Sequence, residues 1–216
     1  LTGCVLPLPD FGGRPVAARS PEPGWRLCPE VPTELMGKAP SGFTFECRTV
    51  KVPQDWNNPD DGNTFDIAVM RARATDQRDR IGPLLVNPGG PGDSGVDFAV
   101  GAAHFFTDVL RRRFDIVGFD PRGVGRSNPV RCTAALSAAA PSPLISSPQA
   151  YAETIAYNRR LAADCRANTG PVFEHVDTLS VVRDTDALRT ALGESTLSLY
   201  GASYGSLLGA QYAELY

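Results

Sequence analysis

Thr196–Tyr216 reads TLSLYGASYGSLLGAQYAELY: an apolar run, the bend Gly201-Ala202-Ser203-Tyr204-Gly205, then residues spaced as a helix. The bend fits the G-x-S-x-G pattern of a nucleophile elbow, a sharp turn from strand to helix that exposes a serine hydroxyl. The glycines let neighbouring backbone come close without a Cβ in the way. The helix that follows aims its free N–H groups and positive dipole end at the same point. Five letters are a weak signal alone; the strand before them and the helix after them make it specific. Ser203 is therefore the candidate nucleophile.

Working outward, the chain alternates strands with helices. FTFECRTVKVP from Phe43 and TFDIAVMRARA from Thr64 alternate in polarity and flank the turn-rich DWNNPDDGN, which predicts an antiparallel hairpin. Pro83–Val86 and Phe114–Phe119 are short apolar runs suited to strands buried on both faces. Between them, GVDFAVGAAHFFTDVLRRR has helical spacing. AYAETIAYNRRLAADCRAN and DTLSVVRDTDALRTALG predict two more helices, the second capped by Asp177 or Thr178 and stopped by Gly193. This order implies an α/β fold: an antiparallel hairpin leading into a mostly parallel sheet flanked by helices. Ligands in such sheets sit at the carboxyl ends of the strands. The three unusual loops, Asn87–Gly95, Asp120–Ser127 and Gly201–Gly205, all fall there.

The loop Asn87-Pro88-Gly89-Gly90-Pro91-Gly92 can turn backbone N–H groups inward, as stabilising an oxyanion requires. Pro91 has no N–H to give. Gly90 is the expected donor, with the Tyr204 backbone N–H as its companion. Asp120-Pro121-Arg122-Gly123-Val124-Gly125-Arg126-Ser127 lacks the Lys-Ser/Thr ending of a phosphate-binding loop and reads as a shaped structural loop beside the site.

These three loops, in this order, resemble the α/β-hydrolase fold. More narrowly, NPGGPGDSG at 87–95, GFDPRGVGRS at 118–127 and GASYG at 201–205 resemble secreted actinobacterial tripeptidyl aminopeptidases, relatives of the prolyl iminopeptidases. The resemblance spans about residues 25–216. It implies an exported serine exopeptidase that releases short peptides, tripeptides among them, from free N-termini through an acyl-enzyme. Related members act as esterases or proline-specific aminopeptidases. A carboxylesterase and a non-catalytic binding member of the fold are the alternatives.

In this fold the triad runs serine, acid, histidine along the chain. After Ser203 there is no aspartate and no histidine, and the one acid is Glu214. The triad acid and base are thus expected beyond residue 216, the chain is expected to be the N-terminal portion of the fold truncated after the elbow, and this portion alone is expected to be inactive. His104 and His175 read as packing or surface residues.

The hydrophobic content of 42% and charged content of 21% suit an ordinary globular chain, and a net charge of -3 gives no reason to expect nucleic acid. Peptides are the expected partners. Leu1-Thr2-Gly3-Cys4 resembles a bacterial lipobox, whose cysteine carries a lipid; an arbitrary start is the other reading. Membrane contact is expected only through that anchor. If Cys4 is lipidated, four of five cysteines remain, and pairing Cys28 with Cys47 and Cys132 with Cys165 closes two local loops. Disulfides imply an extracytoplasmic location, secreted or anchored to the outer face of the cytoplasmic membrane. No CxxC spacing occurs and only two histidines exist, so no metal or cofactor is expected. The chain is expected to comprise a lipobox-like start and Pro/Gly-rich tether at 1–24 and the hydrolase portion at 25–216, with an irregular, partly helical excursion at 128–177.

Overall fold

A computed structural model describes residues 24–29 and 44–216. The lipobox reading at Cys4 and all of the tether but Gly24 lie outside the described residues. In chain order the strands are β1 (Arg26–Leu27), β2 (Phe45–Pro53), β3 (Thr64–Ala72), β4 (Gly82–Asn87), β5 (Phe114–Phe119) and β6 (Ser198–Gly201). The helices are α1 (Gly95–Phe105), α2 (Asp108–Arg113), α3 (Ala134–Ala138), α4 (Pro148–Thr169), α5 (Thr178–Ala191) and α6 (Tyr204–Leu215), with a 3-10 turn at Pro171–His175.

The strands form one mixed sheet in the order β1-β2-β3-β5-β4-β6. β1, β2 and β3 are antiparallel neighbours, and β3 runs antiparallel to β5. β4 is parallel to both β5 and β6. Period-2 alternation divides the core between the two faces. Leu84, Val86 and Ile116 face α1, together with Val96, Ala99, Val100 and Phe106. Leu85, Val117 and Phe119 face α5 and α6, where they meet Val181, Leu188, Leu208 and Tyr212. All six residues of β4 are buried, as the apolar run predicts for a strand covered on both sides.

Two departures from the sequence reading have local causes. Residues 5–40 are rich in Pro, Gly and Arg with little periodicity and read as a tether and irregular entry segment, yet Arg26–Leu27 adds a short strand by pairing with Cys47 and Glu46. The Cys28–Cys47 disulfide fixes it there, and buried Trp25 lies under the Arg71 guanidinium at 4.2 Å. The expected helix between β4 and β5 is two helices. Phe106 and Thr107 are extended, which sends the Phe106 ring into the core against Tyr200; burying that ring prevails over helix continuity.

The excursion is held by the second disulfide, Cys132–Cys165. Thr133 adds two hydrogen bonds to Asp164, from its N–H and from its hydroxyl, both 2.6 Å. α4 buries only Tyr157 and Cys165, so most of its length faces solvent.

At the amino ends of the parallel strands a buried charge network replaces hydrocarbon. Arg71 donates to Glu46, its cross-strand partner, at 2.6 Å. Asp115 accepts from Arg80 at 2.7 Å and from the Ala74 N–H at 2.8 Å. The loops Asn87–Gly95, Asp120–Ser127 and Gly201–Gly205 lie at the opposite, carboxyl ends.

Candidate active site

β6 ends at Gly201, opposite Asn87 at the end of β4. The Ala202 N–H donates to the Asn87 carbonyl at 3.0 Å, carrying the ladder one residue past the strand. Ser203 then adopts φ 51° and ψ -125°. Apart from glycines, Asn128 is the only other described residue with a positive φ. Such backbone costs about 1–3 kcal/mol and persists only where its surroundings impose it. Here the Gly205 N–H closes the turn onto the Ala202 carbonyl at 2.7 Å, and the Ser206 N–H reaches the Ser203 carbonyl at 3.0 Å. Ser203 stands at the N-cap of α6, yet its side chain makes no capping bond. The residue is exposed, so the hydroxyl is presented rather than used up in structure.

The glycine-rich loop after β4 touches this bend. A Cβ on Gly89 would lie 2.7 Å from the Ala202 carbonyl oxygen, 2.8 Å from the Tyr204 nitrogen and 3.0 Å from the Ser203 Cβ. Only glycine allows that approach, and its φ of 103° is also glycine's. The Gly89 N–H is occupied by Asn87 Oδ1 at 2.9 Å. Gly90 follows at φ 101°. The two amides expected to hold an oxyanion, of Gly90 and Tyr204, thus lie on two corners in van der Waals contact.

The third loop braces the glycine-rich loop after β4. Asp120 is fully buried and accepts from Ser94 Oγ at 2.5 Å, from the Val96 N–H at 3.2 Å and from the Arg126 N–H at 2.8 Å. Ser94 also caps α1 by accepting from the Asp97 N–H. Arg122 is buried and forks onto Asp184 of α5 at 2.6 and 2.7 Å. It donates as well to the carbonyls of Pro53, Gln54 and His175. The Trp56 indole N–H completes the cluster on Asp184 at 2.9 Å. Burial pushes the Asp184 carboxyl above the ordinary aspartate range, opposed by the Arg122 and Trp56 bonds. One guanidinium therefore ties the β5 loop to the hairpin turn, the 3-10 turn and α5, the structural part that the sequence suggests for this loop.

Asp177 caps α5 by accepting from the Ser180 N–H at 2.9 Å and hydroxyl at 2.7 Å. Burial works against its charge, but the Ser180 bonds prevail and hold the carboxyl below the ordinary range. The next residue contributes a link that sequence reasoning missed: Thr178 Oγ1 and the Tyr204 hydroxyl are 2.7 Å apart. Nothing local to either residue signals a partner 26 positions away.

Neither histidine stands beside the serine as a base. His104 lies in the last turn of α1, roughly 14 Å of helix from the end at the site. His175 closes the 3-10 turn with its ring 6.4 Å from that of Phe65. No hydrogen bond joins either imidazole to Ser203 among the described residues.

The chain is 37% identical over 228 residues to serine protease Hip1 of Mycobacterium tuberculosis, covering 99% of this chain and 41% of that protein. It is 42% identical over 186 residues to carboxylesterase B of the same organism, covering 83% of this chain and 34% of the relative. It is 37% identical over 184 residues to a tripeptidyl aminopeptidase of Streptomyces coelicolor, covering 80% and 33%. The chain thus spans about two-fifths or less of the length of these relatives. An exposed serine on a strained strand-to-helix turn, facing a glycine corner at the carboxyl edge of parallel strands, agrees with the family match over residues 82–216: the chain belongs to the α/β-hydrolase fold family.

Proposed function

We propose that this chain is the nucleophile-bearing part of an exported serine exopeptidase that releases short peptides from free N-termini. The observation that carries the reading is Ser203 at φ 51°, exposed and in contact with the Gly89 corner. Ser203 attacks the scissile carbonyl. The Gly90 and Tyr204 N–H groups receive the charge that develops on its oxygen, each worth about 3–4 kcal/mol in the transition state. A histidine beyond residue 216, oriented by an acid also beyond it, takes the serine proton and returns it to the leaving amine. Sequence similarity to proteins named serine protease and tripeptidyl aminopeptidase supports the peptidase reading. The two disulfides fit an oxidising compartment, which supports export. A lipid on Cys4 would make that export an anchored one.

Ester hydrolysis is the second reading, favoured by the similarity to a protein named carboxylesterase B. Esters and amides share acyl-enzyme chemistry, so the elbow serves both. The test compares tripeptidyl anilides with short acyl esters on the full-length enzyme. Faster acylation by tripeptides with a free amine than by their acetylated forms supports the exopeptidase. Indifference to that amine, with preference for esters, selects the esterase. A wild-type enzyme whose Ser203 fails to react with a fluorophosphonate defeats both readings and leaves a non-catalytic binding member of the fold. Residues 1–216 alone, lacking a base, are expected to give no burst with that probe.

A further inference from the structure

We propose that Asn87 is the positioning residue of the oxyanion hole, setting both donor corners at once; this role rests on the reading of Ser203 as nucleophile. Asn87 is the last residue of β4 and only 6% exposed. Its side-chain oxygen accepts the Gly89 N–H at 2.9 Å, and its main-chain oxygen accepts the Ala202 N–H at 3.0 Å. The side chain thus holds the loop that carries Gly90, and the main chain holds the bend that carries Ser203 and Tyr204.

A third contact closes the arrangement. A Cβ on Gly205 would lie 2.5 Å from the Asn87 carbonyl oxygen and 2.8 Å from Oδ1. The first turn of α6 therefore rests on the same two acceptors that fix the corners. With the Gly89 amide engaged by Asn87 and Pro91 lacking an N–H, Gly90 is the donor this corner has to offer. Loss of the Oδ1 contact leaves the Gly89 N–H buried without its acceptor, and the loop is free to turn that amide elsewhere, rotating the Gly90 donor with it. The residue type follows from the chemistry. Asparagine gives a neutral acceptor two residues before an amide, the Asx-turn geometry. A carboxylate would accept the same bond but set a negative charge beside the oxygen that becomes anionic.

The test uses the full-length enzyme and three readouts: kcat and KM on its preferred substrate, inhibition by a peptide boronic acid that mimics the tetrahedral intermediate, and the melting temperature. Asn87→Ala is expected to lower kcat about 100-fold, the low end for loss of an oxyanion donor, with KM changed less than threefold. The boronate should weaken by the same factor as kcat/KM. Asn87→Ser keeps a shorter acceptor for the same amide and should recover at least a tenth of the wild-type kcat, which covers the case in which the alanine variant does not fold. Wild-type kcat in folded Asn87→Ala, or serine and alanine variants equally slow at equal stability, overturns the role of Asn87. Failure of the wild type itself to label at Ser203 overturns the reading beneath it instead, so the two failures are distinguishable.

Discussion

Ser203 pays with backbone strain for the exposure of its hydroxyl, and the strain can be read out. At φ 51° a Cβ is disfavoured and its removal is not. Ser203→Gly should therefore be more stable than Ser203→Ala by about 1 kcal/mol in urea unfolding, while neither reacts with a fluorophosphonate. Equal stabilities would show that the turn relaxes in the variants. Arg122 is the opposite kind of residue, unstrained but irreplaceable in shape. It forks onto Asp184 and donates to three carbonyls from a fully buried position. Lysine keeps the charge but cannot satisfy those acceptors together. Arg122→Lys should lower the unfolding free energy by roughly 3 kcal/mol, the scale for breaking a buried pair, measured by chemical denaturation.

At the scale of elements, the N-terminus of α5 serves both fold and site. Asp177 caps it, and Thr178 meets the Tyr204 hydroxyl. Asp177→Ala should cost about 1 kcal/mol as a lost cap, and Asp177→Asn much less. The folded pKa of Asp177 lies below its ordinary value. Its charge therefore contributes stability that is present above the unfolded pKa near 3.9, and that is lost as pH falls through the folded value. Unfolding free energies measured at pH 6 and pH 3 should accordingly fall less in Asp177→Asn than in the wild type.

Across the whole molecule, what could be read from sequence was what local pattern encodes. Ser203 and the three carboxyl-end loops each announce themselves within about a dozen residues through glycines at fixed offsets, and the hairpin through period-2 alternation on either side of a turn. What escaped depends on partners distant in sequence. The Arg122–Asp184 fork joins positions 62 apart, and the Thr178–Tyr204 pair 26 apart. The break at Phe106 accompanies a ring contact with Tyr200, far along the chain, and β1 needs an edge created only once β2 is in place. The Cys132–Cys165 bond is the exception, since it spans 33 positions and yet follows from pairing cysteines across local loops. Replacing both cysteines by serine should lower stability by about 3 kcal/mol through the freed unfolded chain. A change below 1 kcal/mol in denaturant titration would mean that the excursion stays compact without its bond.

The order of the strands also governs how the molecule bears load. Among the described strands, β1 and β6, with the serine bend at its tip, stand at opposite ends of the order. Five inter-strand spacings separate them, about 24 Å. Tension transmitted through Gly24 would fall first on a two-residue ladder and on the Cys28–Cys47 bond. A pull on that end of the chain is therefore taken up by this ladder and this disulfide before it reaches the serine bend.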